Sequence, residues 1–196
     1  MKRFFLYAVA ISALCSSCET EDEAFATETN NQNNTLHQAK GVEANDYQTY
    51  QSILNSFVYN NQQTYQENLL QFEGHVNQQM LNYVPQNIYK YEKMNTEQLL
   101  VLEQAGTNFI DQLFYTEETK QVIYSIVSNQ FNIEIMQLIT NESERHLIET
   151  LFALHSNGNG DDDKWNRKKN IAFAYGAQYS LTQAVLYAGA IELLAK

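Results

Sequence analysis

Cysteine occurs at only two places in this 196-residue chain, Cys15 and Cys18, both close to the N-terminus. Everything beyond residue 18 therefore lacks a disulfide, a thiolate metal ligand and a cysteine nucleophile. Proline is nearly missing too: Pro85 is the single one, and there are seven glycines. So few chain-breakers favour long helices over a many-turned β fold. Positive charge is scarce, with 12 Lys and Arg against 23 Asp and Glu and a formal charge of −11. A chain of that sign repels phosphate backbones and anionic headgroups, which argues against nucleic acid as a partner. No nucleophile elbow, phosphate loop or dinucleotide fingerprint occurs, so no cofactor and no catalytic residue is expected.

The N-terminus reads as an address. Lys2 and Arg3 form a positive patch, and Phe4 to Leu14 is an apolar run of signal-peptide length, too short to span a bilayer. Ser16 and Ser17 then precede Cys18, whereas bulky Leu14 precedes Cys15. This layout resembles a bacterial lipoprotein signal, with Cys15 standing where that pattern usually carries Leu. The resemblance implies cleavage after residue 17, lipid attachment at Cys18 and a body held at the membrane by several acyl chains. The acidic run Glu19-Thr20-Glu21-Asp22-Glu23 resembles the one that follows the lipidated cysteine in surface-exported lipoproteins of the Bacteroidota. That resemblance implies the outer membrane and a cell-surface location. Residues 18–45 hold too little apolar area to offset chain entropy, and read as an acidic, polar, disordered tether.

From Asp46 to Lys196 the pattern is helical, and the expectation is all-α: one domain of about five or six helices. Tyr47, Tyr50, Leu54 and Phe57 recur at helical spacing, as do Tyr65, Leu69, Phe72, Val76 and Met80 beyond a polar patch at Asn60 to Gln63. Pro85 closes that second stripe. Asn95 to Gln98 and Asn141 to Glu144 read as capping boxes, and Thr116 as a further helix start. Leu99, Leu102, Gly106, Phe109 and Leu113 are expected on one helix face, and Val122, Ile126, Ile133 and Met136 on the next.

Some constellations invite chemistry and fail on inspection. Asn157, Asn159 and Asp161 match the opening of a calcium loop, but Asp162 stands where glycine is needed and Lys168 where glutamate is needed. Glu142, His146 and Glu149 share a helix face yet supply at most half of a di-iron site; surface pairing of Glu142 with His146 and Arg145 with Glu149 accounts for them. His75 has no partner at metal-ligand spacing, and no metal is expected. The tyrosines fall mostly on apolar stripes, where the ring packs and the hydroxyl reaches the rim.

The last stretch organises the rest. Ile171 to Ile191 carries no charge and no proline, and Ala172, Gly176, Ser180, Ala184 and Ala188 fall at every fourth position. On one long helix these form a packing ridge against which a second helix lies close. Trp165 with Lys164, Arg167, Lys168 and Lys169 ahead of that run looks like a membrane-interface anchor, but Gln178 and Gln183 are costly in lipid. A central helix of a soluble core is the expectation, with the basic cluster offsetting Asp161-Asp162-Asp163. The resulting picture is a cell-envelope lipoprotein, attached to the membrane by its lipid, whose helical body binds or contacts an unspecified protein partner. Its rivals are a membrane-active or toxin-like protein working through residues 165–196, and an enzyme with an unrecognised site.

Overall fold

A computed structural model describes residues 45–157 and 163–195. Cys18, the tether as far as residue 44, and Asn159, Asp161 and Asp162 of the calcium-like loop lie outside them. Among the described residues the fold is all-α. Seven α-helices run in order as α1 (Asp46–Ser56), α2 (Tyr65–Met80), α3 (Thr96–Gln104), α4 (Glu117–Val127), α5 (Glu142–Ser156), α6 (Asp163–Ala177) and α7 (Leu181–Leu193). Short 3₁₀ turns, Thr107–Gln112 and Ile133–Leu138, separate α3 from α4 and α4 from α5. These elements all belong to the unit Asn31–Lys196.

Asparagine, so frequent in the composition, starts many of these segments. The side chains of Asn45, Asn95, Asn132 and Asn141 each accept from the backbone N–H of the second or third residue of the element that follows. These bonds satisfy donors that a helix start leaves unpaired. A reciprocal capping box forms at Thr64 and Glu67, so the stripes on either side of the polar patch belong to two helices rather than one bent one: Glu67 N donates to Thr64 Oγ1 at 3.2 Å and Thr64 N donates to Glu67 Oε2 at 2.8 Å. At Asn141 the expected box is not completed, because Glu144 turns its carboxylate to Thr116 and Thr119 instead.

The stripes break where the extra segments begin. α3 stops at Gln104, so Leu102 and Phe109 reach the core from different elements rather than from one face. α4 stops at Val127, and Asn129 follows with φ of 56°. Asparagine tolerates that left-handed conformation because its side chain is short and polar. Ile133, expected in the α4 stripe, is consequently 71% exposed.

The C-terminal stretch differs most from expectation. It is two helices rather than one long uncharged helix. Gly176 O accepts from both Tyr179 N and Ser180 N, and Ser180 is extended at φ −167° and ψ 163°. Ser180 Oγ then accepts from Gln183 N at 3.0 Å and starts α7. Ala172 and Gly176 thus lie on α6, Ala184 and Ala188 on α7, and Ser180 at the corner. The ridge is folded onto itself. Ala172, Ala184 and Ala188 are fully buried, and Gly176 is buried too, while Ser180 is half-buried. α6 and α7 share the most extensive helix contact of the fold, and α7 also packs on α2, α1 and α3. Ten of the thirteen α7 residues are buried, which makes it the central helix. Phe72 of α2, itself fully buried, lies over Gly189 so closely that a Cβ there would enter its ring.

The basic cluster in the first turns of α6 closes the ends of other helices. Arg167 Nε donates to Val127 O at 3.2 Å, and Lys168 Nζ donates to Glu103 O. These are carbonyls of the last turns of α4 and α3, where cations are favoured by the helix dipole. Lys168 also sits 5.1 Å over the Trp165 ring. No described helix is long and apolar enough to cross a membrane.

Candidate functional site

Convergent polar groups occur at several helix junctions. Near the end of α7, Glu192 is approached from two other helices. Tyr50 of α1, fully buried, donates its hydroxyl to Glu192 Oε2 at 2.7 Å, and Lys169 Nζ of α6 lies 3.7 Å from the same oxygen. A phenol, a carboxylate and an ammonium together are what proton-transfer chemistry would use. Burial, reinforced by the Glu192 carboxylate, holds the Tyr50 hydroxyl well above its usual pKa, so it remains a protonated donor. Burial likewise raises Tyr65, Tyr115 and Tyr175, and pushes Tyr89 up to about 12. At neutral pH these phenols stay protonated and do not act as bases. Tyr115 donates to Ala174 O at 2.7 Å and Tyr65 to Ala190 O at 3.1 Å.

The second junction holds a buried carboxylate. Glu144 of α5 accepts from the hydroxyls of Thr116 and Thr119 at 2.5 Å each, and from Thr116 N at 3.3 Å. A negative charge at the start of α4 is stabilised by the helix dipole. The arrangement fastens α5 to α4 and leaves Glu144 only 8% exposed.

A third junction binds the segment after Pro85 to α2 and α7. Asn77 Oδ1 accepts from Tyr89 Oη at 2.6 Å and Glu92 N at 2.8 Å, while its Nδ2 donates to Glu92 O at 2.9 Å. Glu73 accepts from Met94 N at 2.8 Å, and Ser180 Oγ donates to Glu92 Oε2 at 2.6 Å. The same segment therefore also grips the corner between α6 and α7.

Around that corner the aromatic rings collect. Phe109, Tyr179 and Tyr187 set their rings edge-on to Tyr175 at centroid distances of 6.0, 5.4 and 5.3 Å. Gln178 Oε1 accepts from Phe114 N at 2.5 Å. Tyr187 accepts from Asn95 N at 3.3 Å. Phe109 and Tyr187 are buried and Tyr179 is exposed, so the cluster is core packing that reaches the surface through one ring.

His146 and Arg145 of α5 also make contacts to other elements. His146 Nδ1 reaches Asp46 Oδ2 of α1 at 3.5 Å, and Arg145 donates to Ile139 O at 2.7 Å. His75 lies against α1 as well, with Nε2 at 2.9 Å from Ser56 Oγ and 3.1 Å from Ile53 O. Among the described residues no group of three or more His, Cys, Asp or Glu side chains could hold a metal ion.

Sequence periodicity finds the rings and the apolar faces. It misses the junctions, since each pairs residues far apart in the chain: Tyr50 with Glu192, Thr116 with Glu144, Asn77 with Glu92. One overlooked signal was present. Ser180-Leu181-Thr182-Gln183 has the spacing of a capping box and marks the start of α7.

The fold and these junctions define an all-α body whose polar groups mainly fasten helices together. No protein-family model matches the chain, and no curated protein or solved structure matches it either.

Proposed function

We propose that this chain is a cell-envelope lipoprotein, lipidated at Cys18 and held at the outer membrane, whose helical body is a binding or interaction module. The observation that carries the reading is the N-terminal series: Lys2 and Arg3, the apolar run Phe4 to Leu14, Ser17-Cys18 and the acidic run Glu19 to Glu23. After the polar tract, the first described helix starts at Asp46 with Asn45 as its cap. The interaction role rests on what the polar groups do. Glu192, Glu144, Asn77, Arg167 and Lys168 each bond across a helix junction, which is the work of a scaffold.

Expression of the full chain in a bacterium fed radiolabelled palmitate tests the proposal. The wild type incorporates label and sediments with membranes, and Cys18→Ser loses both. Continued labelling of Cys18→Ser would overturn the assignment of the lipid to that residue.

A further inference from the structure

The first helix of the body is gripped at both ends by histidines from two different helices. At its start, His146 of α5 meets Asp46, the residue directly after the cap Asn45, at 3.5 Å. At its finish, His75 of α2 meets Ser56 Oγ and Ile53 O at 2.9 and 3.1 Å. The two contacts differ in kind. The His146 contact is made to a carboxylate through Nδ1: a neutral ring with its proton there can donate, and the charged ring adds the attraction of an ion pair. The His75 contact is made by Nε2, and an N–H there donates to Ile53 O whether or not Nδ1 also carries a proton.

We propose that α1 is an acid-latched strap: protonated His146 closes its first turn onto α5, while His75 anchors its last turn in either state. The latch sits where the chain from the N-terminal segment enters the body.

The charges around His146 favour this. Asp46 faces it from α1, and Glu142 and Glu149 lie one turn away on α5 itself, with Arg145 adjacent in sequence. The bond to Asp46 raises the pKa of His146 above the usual 6.5 against the opposing effect of burial, and the charges of Asp46 and Glu149 add to it. α4 and α6 also pack on α5. Their basic side chains are engaged elsewhere: Lys120 with Glu117, Lys164 at 6.0 Å from the Trp165 ring centroid, Arg167 with Val127 O, Lys168 with Glu103 O and Lys169 with Glu192. A histidine with a raised folded-state pKa contributes stability that is complete below its unfolded value and is lost as pH rises through the folded value. The latch is thus shut below the ordinary histidine value of about 6.5 and is released as pH rises through the raised folded value. Release stays local, because Tyr50, Ile53 and Leu54 hold the middle of α1 in the core.

Hydrogen exchange on the full chain tests the proposal, with rates corrected for the intrinsic pH effect. The amides of Thr49, bonded to Asn45 O, and of Tyr50 report the first turn. Their protection should fall about two- to fivefold from pH 5.5 to pH 8.5, the range an exposed ion pair supplies. His146→Gln should abolish that dependence, and His146→Lys should keep the high protection at pH 8.5. His75→Gln should lower protection in the last turn of α1 equally at both pH values. NMR titration of the wild-type ring should place His146 above 6.5. Equal first-turn protection at the two pH values in the wild type would overturn the latch, as would an unchanged dependence in His146→Gln or a ring titrating at or below the ordinary value. A pH-dependent loss in His75→Gln would overturn the anchor.

Discussion

Gly176 of α6 lies against the backbone of Ala184 of α7, so closely that a Cβ added at Gly176 would stand 2.5 Å from both Ala184 N and Ala184 Cα. They are eight positions apart in sequence, and the tight turn at Gln178 to Ser180 brings them face to face. The neighbour is backbone, which cannot rotate away as a side-chain tip could.

Gly176→Ala should therefore destabilise the protein by about 1–3 kcal/mol, the cost typical of overpacking a filled core. In an unobstructed helix interior the same change would stabilise, since alanine is the better helix former by about 1 kcal/mol. Urea denaturation followed by circular dichroism reads the sign. A midpoint shifted upward would mean the helices are not in contact at this point.

Glu144→Ala should cost about 1–3 kcal/mol, because it strands the hydroxyls of Thr116 and Thr119 and the Thr116 amide at a buried junction. Thermal or urea unfolding measures it. Thr119→Val in the Glu144→Ala background should then add less than it does in the wild type. Additive losses would show that the two side chains do not share one bond network.

Asn77→Ala should free the segment that follows Pro85. It removes the acceptor for Tyr89 and Glu92 N and the donor to Glu92 O. Limited proteolysis should then cut faster between Gln86 and Met94 than in the wild type, with the helices cut no faster. Unchanged cleavage there would mean that Glu73 and the Ser180–Glu92 bond suffice to hold the segment.

Glu67 titrates below its usual 4.5 because Thr64's amide and hydroxyl bond its carboxylate. A lowered folded-state pKa contributes stability that is present above the unfolded value and lost as pH falls through the folded one. The start of α2 should accordingly loosen only under acid, seen as falling protection of the Glu67 and Asn68 amides below about pH 4.5. Glu67→Gln should flatten that profile. Carboxyl NMR placing Glu67 above 4.5 would contradict the capping box.

Much of the fold was legible because the determinants are local. Asn95, Thr116 and Asn141 announced helix starts through side chains that bond amides two or three residues on. Tyr50, Leu69, Phe72, Val76, Leu99, Val122 and Ile126 repeated at helical spacing and are buried. Helix ends were harder to read. Nothing at Gln104 or Val127 resembles a proline stop, and each end is instead closed by a cation from α6, Lys168 near the first and Arg167 at the second. The basic cluster could not be assigned to that task until α3, α4 and α6 were placed together.

By itself the sequence determined helical class, the absence of thiol chemistry from the body and the small-residue spacing that permits close approach. Those follow from short-range propensity and composition, which need no partner. The tertiary structure alone decided how the spacing is used. One uninterrupted helix would have offered Ala172, Gly176, Ser180, Ala184 and Ala188 as a single ridge to another element. Ser180 leaves the helix instead, caps the next one and bonds Glu92, so the two halves of the ridge pack on each other. That outcome depends on a carboxylate 88 residues away in sequence, which no local pattern contains.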